Sequence, residues 1–213
     1  MRENPGYAMT DPAEVRALIR SAPWATMVSA TDDGLVASHY PFLLEEDGGA
    51  DDDAITIVSH VGRPDERLHG LGSRELLVIF SGPSGYVSPS WYGVSAAVPT
   101  WNFATVHAYG TPEILSDEEN LAVLERLVDH FEEPLPNPFR MRGTLENAAY
   151  AERIVHGTVG FRLRVSRFVA KDKMSQDKPV EVVEQVLDAL DAPGPYRNEA
   201  LAERMRRLLL SRP

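Results

Sequence analysis

Apolar and polar positions along the chain follow two periods, one helical and one alternating. Thr10, Asp11 and Pro12 open a helix with a hydroxyl cap, an acid and a proline in the first turn. Val15, Leu18 and Ile19 give that helix one apolar stripe, and Pro23 lies just beyond its end. Residues 25–30 read as a strand, 31–34 as a turn, and 35–45 as a second strand in which Pro41 marks an edge or a bulge. Residues 47–53 are acidic and glycine-containing, as a solvated loop would be. Residues 54–60 alternate as a third strand, 64–71 suit one or two helical turns, and 75–81 form a buried strand around Leu76-Leu77-Val78-Ile79-Phe80. Residues 84–99 are too irregular for regular structure and too aromatic for a disordered linker, and strand character returns over 100–114. Ser116 to Glu119 is a capping box that opens a long helix. Its expected buried face is Leu121, Leu124, Leu127, Val128 and Phe131, and Pro134, Pro136 and Pro138 break it. A helix over 145–155 follows. Residues 158–169 then alternate Phe161, Leu163 and Val165 against Arg162, Arg164 and Ser166, as one long strand. Residues 180–190 and 198–210 read as terminal helices.

About six mostly sequential strands with helices inserted late predict an α+β protein, an antiparallel barrel plus helices. There is no βαβ alternation and no glycine-rich dinucleotide or Walker sequence, so a doubly wound nucleotide-binding fold is not expected. The 213 residues suit one substantial domain, or one domain with a helical appendage. The absence of cysteine excludes disulfides, zinc–thiolate sites, iron–sulfur clusters and thiol nucleophiles. The N-terminus lacks the apolar stretch of a signal peptide, and the longest apolar run is too short to span a bilayer; the expectation is a cytoplasmic protein without membrane contact. A net charge of −11 argues against nucleic-acid binding. The basic cluster Arg204, Arg206 and Arg207 reads as a solvated helix face.

Three segments carry candidate chemistry: residues 82–92, 98–110 and 171–179. The first two combine aromatic faces with small hydroxyl and amide donors, the mixture that a planar cofactor needs. A packed turn between two strands would read the same way. The stretches Ser88-Pro89-Ser90-Trp91-Tyr92, Val98-Pro99-Thr100-Trp101-Asn102-Phe103 running on to His107 and Gly110, and Lys171-Asp172-Lys173-Met174-Ser175-Gln176 stand in this order. With residues 37–42 and 59–63 they resemble the PaiB-like family, the FMN-binding negative transcriptional regulators. The resemblance reaches to about Pro179, which implies a split-barrel cofactor-binding domain over 1–179 with a C-terminal helical extension over 180–213. It implies a split β-barrel of the pyridoxamine-phosphate-oxidase type and a homodimer with cofactor pockets at the subunit interface. It also implies cofactor-binding roles for Ser88, Trp91, Thr100, Trp101, Asn102, Lys171, Lys173, Ser175 and Gln176.

Three positions depart from the family pattern. Asp65 and Asp177 replace amides, and Asp172 replaces a tryptophan. Carboxylates near a flavin phosphate would repel it by about 1–4 kcal/mol at ~4 Å, so weak FMN binding is expected. The overall pattern is also similar to the piperazate synthase branch. That resemblance implies haem b as cofactor and N5-hydroxy-L-ornithine as substrate, cyclised to L-piperazic acid by N–N bond formation with loss of water. FMN, in a regulator or a flavin oxidoreductase, is the alternative.

Haem needs an axial ligand, and without cysteine histidine is the leading candidate. Among the six histidines, His130 and His156 read as charge complements late in helices, His69 as exposed and His107 as packed core. His39 and His60 fall on adjacent expected strands. His60 is the preferred iron ligand, because a strand-end imidazole can turn into a pocket and Arg63 follows to pair with a propionate or phosphate. A hydrogen-bonded structural histidine is the competing reading. Asp65, Tyr92 and Asp177 are the candidates to accept the substrate's proton.

Overall fold

The computed structural model describes residues 1–2, 4–45, 54–93 and 96–210. The acidic loop expected over 47–53 lies outside them. Backbone contacts group the chain into two compact units. One comprises Met1–Leu18, Ser81–Val106 and Val169–Pro213, and the other Ile19–Phe80 and His107–Phe168.

In the larger unit, β1 (Trp24–Thr31) and β2 (Gly34–Pro41) form a hairpin in register from Trp24↔Pro41 to Thr31↔Gly34. The turn closes on Gly34 at φ +116, a conformation that a side chain would strain. The other side of β1 pairs with the start of β5 (Leu76–Val87), from Thr26↔Ile79 to Ser29↔Leu76. A second sheet runs in the order β3 (Leu43–Leu44), β4 (Thr56–Gly62), β8 (Thr158–Arg164), β7 (Glu113–Ile114). Phe42 centres the core, edge-on to Phe80 and to Phe161 at 5.8 Å each. The short helix α2 (Arg63–His69) packs on β1, β2 and β4. The long helix α3 (Asp117–Glu132) opens with the expected capping box at Ser116 and Glu119 and lies on β8.

In the smaller unit the strand order is the end of β5, then the start of β6 (Thr100–Gly110), then β9 (Arg167–Lys173). The N-terminal segment joins β9 through Met9 N–H donating to Ala170 O at 3.0 Å and a bridge between Ala8 and Lys171. Helices α5 (Val180–Asp191) and α6 (Glu199–Leu210) pack on each other and bury Val183, Val186, Leu190, Leu201 and Met205. Among the described residues no helix is long and apolar enough to cross a membrane.

Several expectations need correction. The long strand over 158–169 is two strands. Val165 N–H leaves for Ile55 O and Ser166 N–H for Tyr109 O, both at 2.9 Å, so the pairing partner changes while the alternation runs on. Strand β5 reaches Val87, further than its apolar run, and a 3-10 turn over Pro89–Trp91 follows. The buried face of α3 is Asn120, Val123 and Leu127, while Phe131 is 48% exposed. The cause is Gly160 on β8: a Cβ there would stand 2.7 Å from Asn120 Oδ1, so the helix docks through Asn120, one position from the expected stripe. Asn120 is held there by Thr158 Oγ1 at 3.0 Å.

Candidate functional site

In the smaller unit a cavity of about 390 Å³ opens among Tyr7, Tyr92, Thr100, Asn102, Lys173, Ser175, Asp177 and Lys178. Its volume falls in the usual range of small-molecule sites. Strand β6 delivers Thr100 and Asn102 two residues apart, on one face. The end of β9 delivers Lys173, whose ammonium donates to Thr100 Oγ1 and to Trp101 O. The turn after β9 puts Ser175 in the left-handed region at φ 60. In that conformation the Ser175 hydroxyl accepts from Asn102 Nδ2 at 2.9 Å, deep in the unit. Gln176 braces the turn by accepting from Met174 N and donating to Asp172 O.

Asp177 pairs with Lys178 at 3.1 Å. Burial, followed by the Asp177 charge and a hydrogen bond to it, raises the Tyr7 phenol above its ordinary range. Burial also raises the Tyr92 phenol. Tyr7 carries no signal in the sequence, and Lys178 stands out only as part of the segment 171–179. Tyr7 sits in a 3-10 turn capped by Asn4, where no periodic pattern marks it, and Lys178 lies two residues past the motif that ends at Gln176.

The structure does not bring Trp101 into this cavity. Neighbours in a strand face opposite ways. Trp101 is 54% exposed, while Asn102 is fully buried. Trp101 lies against Tyr86, which also meets Trp91 and Tyr196, with centroids 5.4–6.5 Å apart across the cluster. Ser88 caps the 3-10 turn, accepting from Ser90 N–H at 3.2 Å. Lys171 is half-buried at the bridge to Ala8.

The basic cluster of α6 is not uniformly solvated. Arg204 is 8% exposed, on the helix face that also buries Leu201 and Met205, and it donates to both oxygens of Asp172 at 2.8 and 2.6 Å. The carboxylate that replaces a tryptophan is thus a buried half of an ion pair.

In the larger unit His60 sits late in β4, half-buried, with the Tyr40 ring edge-on at 6.1 Å. Among the described residues its Nδ1 is buried without a hydrogen-bond partner, and burial lowers its pKa, which favours the neutral imidazole. That donor chemistry fits an iron ligand. Asp65 accepts a hydrogen bond from Tyr40 Oη. Arg63 donates to His156 O at 3.1 Å and to Glu66 Oε2 at 3.2 Å.

Three histidine readings change. His69 is buried, not exposed, because α2 turns it onto the β1–β2 hairpin. There it meets Ser29 Oγ at 2.9 Å and Ser38 Oγ at 3.0 Å. His39 and His60 are not on neighbouring strands: β2 and β4 belong to different sheets, and the exposed His39 ring stacks on Trp24. His156 lies in a 3-10 turn and pairs with Asp117 at 2.8 Å. His107 is half-buried, with a buried Nδ1 that also has no hydrogen-bond partner among the described residues.

The chain is 28% identical over 186 residues to Protease synthase and sporulation protein PAI 2 of Bacillus subtilis, covering 84% of this chain and 86% of that protein. It is 33% identical over 132 residues to the protein YKL070W of Saccharomyces cerevisiae, covering 58% of this chain and 76% of that one. Two solved structures share the fold. The FAD and heme binding protein from Mycobacterium smegmatis superposes with a TM-score of 0.60 at 18% identity, over 83% of this chain and 78% of that one. The flavocytochrome Anf3 from Azotobacter vinelandii gives 0.58 at 17%, over 83% and 74%. The fold is therefore the mixed α+β split barrel that the sequence led us to expect. The family model described as "Putative FMN-binding domain" matches residues 1–167, and the chain belongs to that family.

Proposed function

We propose that this chain binds flavin mononucleotide in the cavity of the smaller unit. The observation that carries this reading is the donor set. Two ammoniums, Lys173 and Lys178, line the cavity against one carboxylate, Asp177, in a chain whose net charge is −11. With the hydroxyls of Thr100 and Ser175 they make a phosphate-binding chemistry. Tyr7, Tyr92 and Pro99 supply apolar and aromatic walls for a ring.

The electrostatic objection to FMN weakens once the three carboxylates are seen with their partners. Asp172 faces Arg204, Asp177 faces Lys178, and Asp65 accepts from Tyr40. A bound flavin supplies electron or hydride transfer to a small substrate. The chain's own residues bind and orient it, and Lys173, fixed by Thr100 and Trp101 O, is the positioned charge. The homodimer implied by the family resemblance is part of this reading and is checked by sedimentation of the loaded protein.

A second reading, haem b with cyclisation of N5-hydroxy-L-ornithine to L-piperazic acid, is favoured by His60 and its buried unpartnered nitrogen. Haem would supply a Lewis-acidic iron. His60 would hold it, and Asp65, kept in place by Tyr40, would take a proton from the substrate amine. The visible spectrum of the purified protein separates the two. Two broad flavin bands support FMN. An intense Soret band, lost in His60→Ala and kept in His39→Ala, together with piperazic acid formed from the hydroxylated ornithine, would replace it with the haem reading.

A further inference from the structure

Strand β2 and helix α2 meet through two matched side-chain pairs. Ser38 and Tyr40 stand two apart on one face of β2, and Asp65 and His69 stand four apart on one face of α2. Tyr40 donates to Asp65, and Ser38 Oγ lies 3.0 Å from His69 Nε2. The other ring nitrogen, His69 Nδ1, lies 2.9 Å from Ser29 Oγ of β1. Ser29 and His69 are buried at 2% and 1% exposure, whereas Ser38 is half-buried. A hydroxyl on a half-buried residue, a base within hydrogen-bond distance, and a third group holding that base form the arrangement of an activated nucleophile.

We propose that Ser38 is a nucleophile activated by His69, able to take an acyl group from an activated ester. In the tautomer required, His69 Nδ1–H donates to Ser29 Oγ and Nε2 accepts from the Ser38 hydroxyl. Ser38 Oγ attacks the carbonyl carbon, its proton passes to His69 Nε2, and the ester C–O bond breaks. The leaving phenolate takes that proton, and an acyl-serine and a phenol result. Water then cleaves the acyl-serine to the carboxylic acid and regenerates the hydroxyl, with no redox change. Burial keeps the resting His69 neutral, and the nearby Asp65 charge favours the imidazolium formed during attack. The same contacts in a merely structural clamp would dock α2 on β2 without making Ser38 reactive.

The chain has no cysteine, so Ser38→Cys installs its sole thiol and allows a clean test in the full-length protein. With His69 Nε2 placed to take its proton, that thiol should react with a disulfide reagent at neutral pH at least tenfold faster than a model thiol. A thiol no faster than the model thiol overturns the proposal, and this readout does not depend on a His69 variant folding. In the parent protein, a fluorophosphonate probe should add once, at Ser38 by peptide mapping. The adduct should vanish in Ser38→Ala and form at least tenfold more slowly in His69→Gln. Labelling spread over other serines, or a rate indifferent to His69→Gln, also overturns it.

Discussion

The pair Asp172–Arg204 allows a quantitative prediction. Both side chains are 8% exposed, and the guanidinium meets both carboxylate oxygens. Replacing Arg204 with methionine keeps the volume and the helix propensity but leaves the carboxylate buried without its counter-charge. Loss of one partner of such a pair costs about 3–5 kcal/mol, whereas replacing both partners by apolar residues of similar size is often neutral or stabilising. For a chain of this length that cost lowers Tm by roughly 6–20 °C. Thermal and urea unfolding, followed by tryptophan fluorescence, measure it. Arg204→Met alone should show the full loss, and adding Asp172→Leu should recover most of it. A single variant within about 2 °C of the parent, or a double variant as unstable as the single, would refute the reasoning by showing that water or rearrangement screens the charge.

Two further outcomes follow from packing and burial. Gly160→Ala drives a Cβ to within 2.7–2.9 Å of Asn120, backbone included, and should force α3 off β8 at about 1–3 kcal/mol, read as a lower urea midpoint. Burial lowers the pKa of His60, His69 and His107 alike. In the unfolded chain each takes a proton near ~6.5, so their contribution is fully present above that pH and is lost as pH falls below it towards the folded values. Tm should therefore fall as pH drops below roughly 6.5, more shallowly in His60→Gln, and a Tm that rises on acidification contradicts the assignment.

Local signals carried much of the fold. Ser116 with Glu119 and the proline cluster past residue 133 bound α3, and the alternation of 158–164 marks β8. The helix starting at Pro12 and the two terminal helices also stand where their stripes put them. What could not be read from one segment was anything set by a partner. The division of the last strand depends on Ile55 and Tyr109, distant in sequence, and the docking face of α3 depends on a glycine in another strand.

The same holds for the candidate site. Thr100, Asn102, Lys173, Ser175, Tyr92 and Asp177 line one cavity. The family resemblance points to the first four, and Tyr92 and Asp177 are expected as proton acceptors. The same resemblance points to Trp101, although strand alternation turns it away. Asp172 looked like an uncompensated charge because its partner lies 32 residues on, in a helix whose arginines resemble a solvated row. His69 looked exposed because a seven-residue helix shows no face until it is laid on Ser29 and Ser38.

Whether Lys173 and its neighbours hold a flavin phosphate is decided by titrating the cofactor-free protein with FMN and with riboflavin while following flavin fluorescence. FMN should bind saturably at one per chain, and riboflavin should bind more weakly by about tenfold or more, the loss expected when charge-assisted hydrogen bonds to phosphate are removed. Lys173→Met should narrow the gap between the two ligands. Equal affinities for FMN and riboflavin, or no flavin binding by a protein that instead takes up haem, would contradict that role for Lys173 and its neighbours.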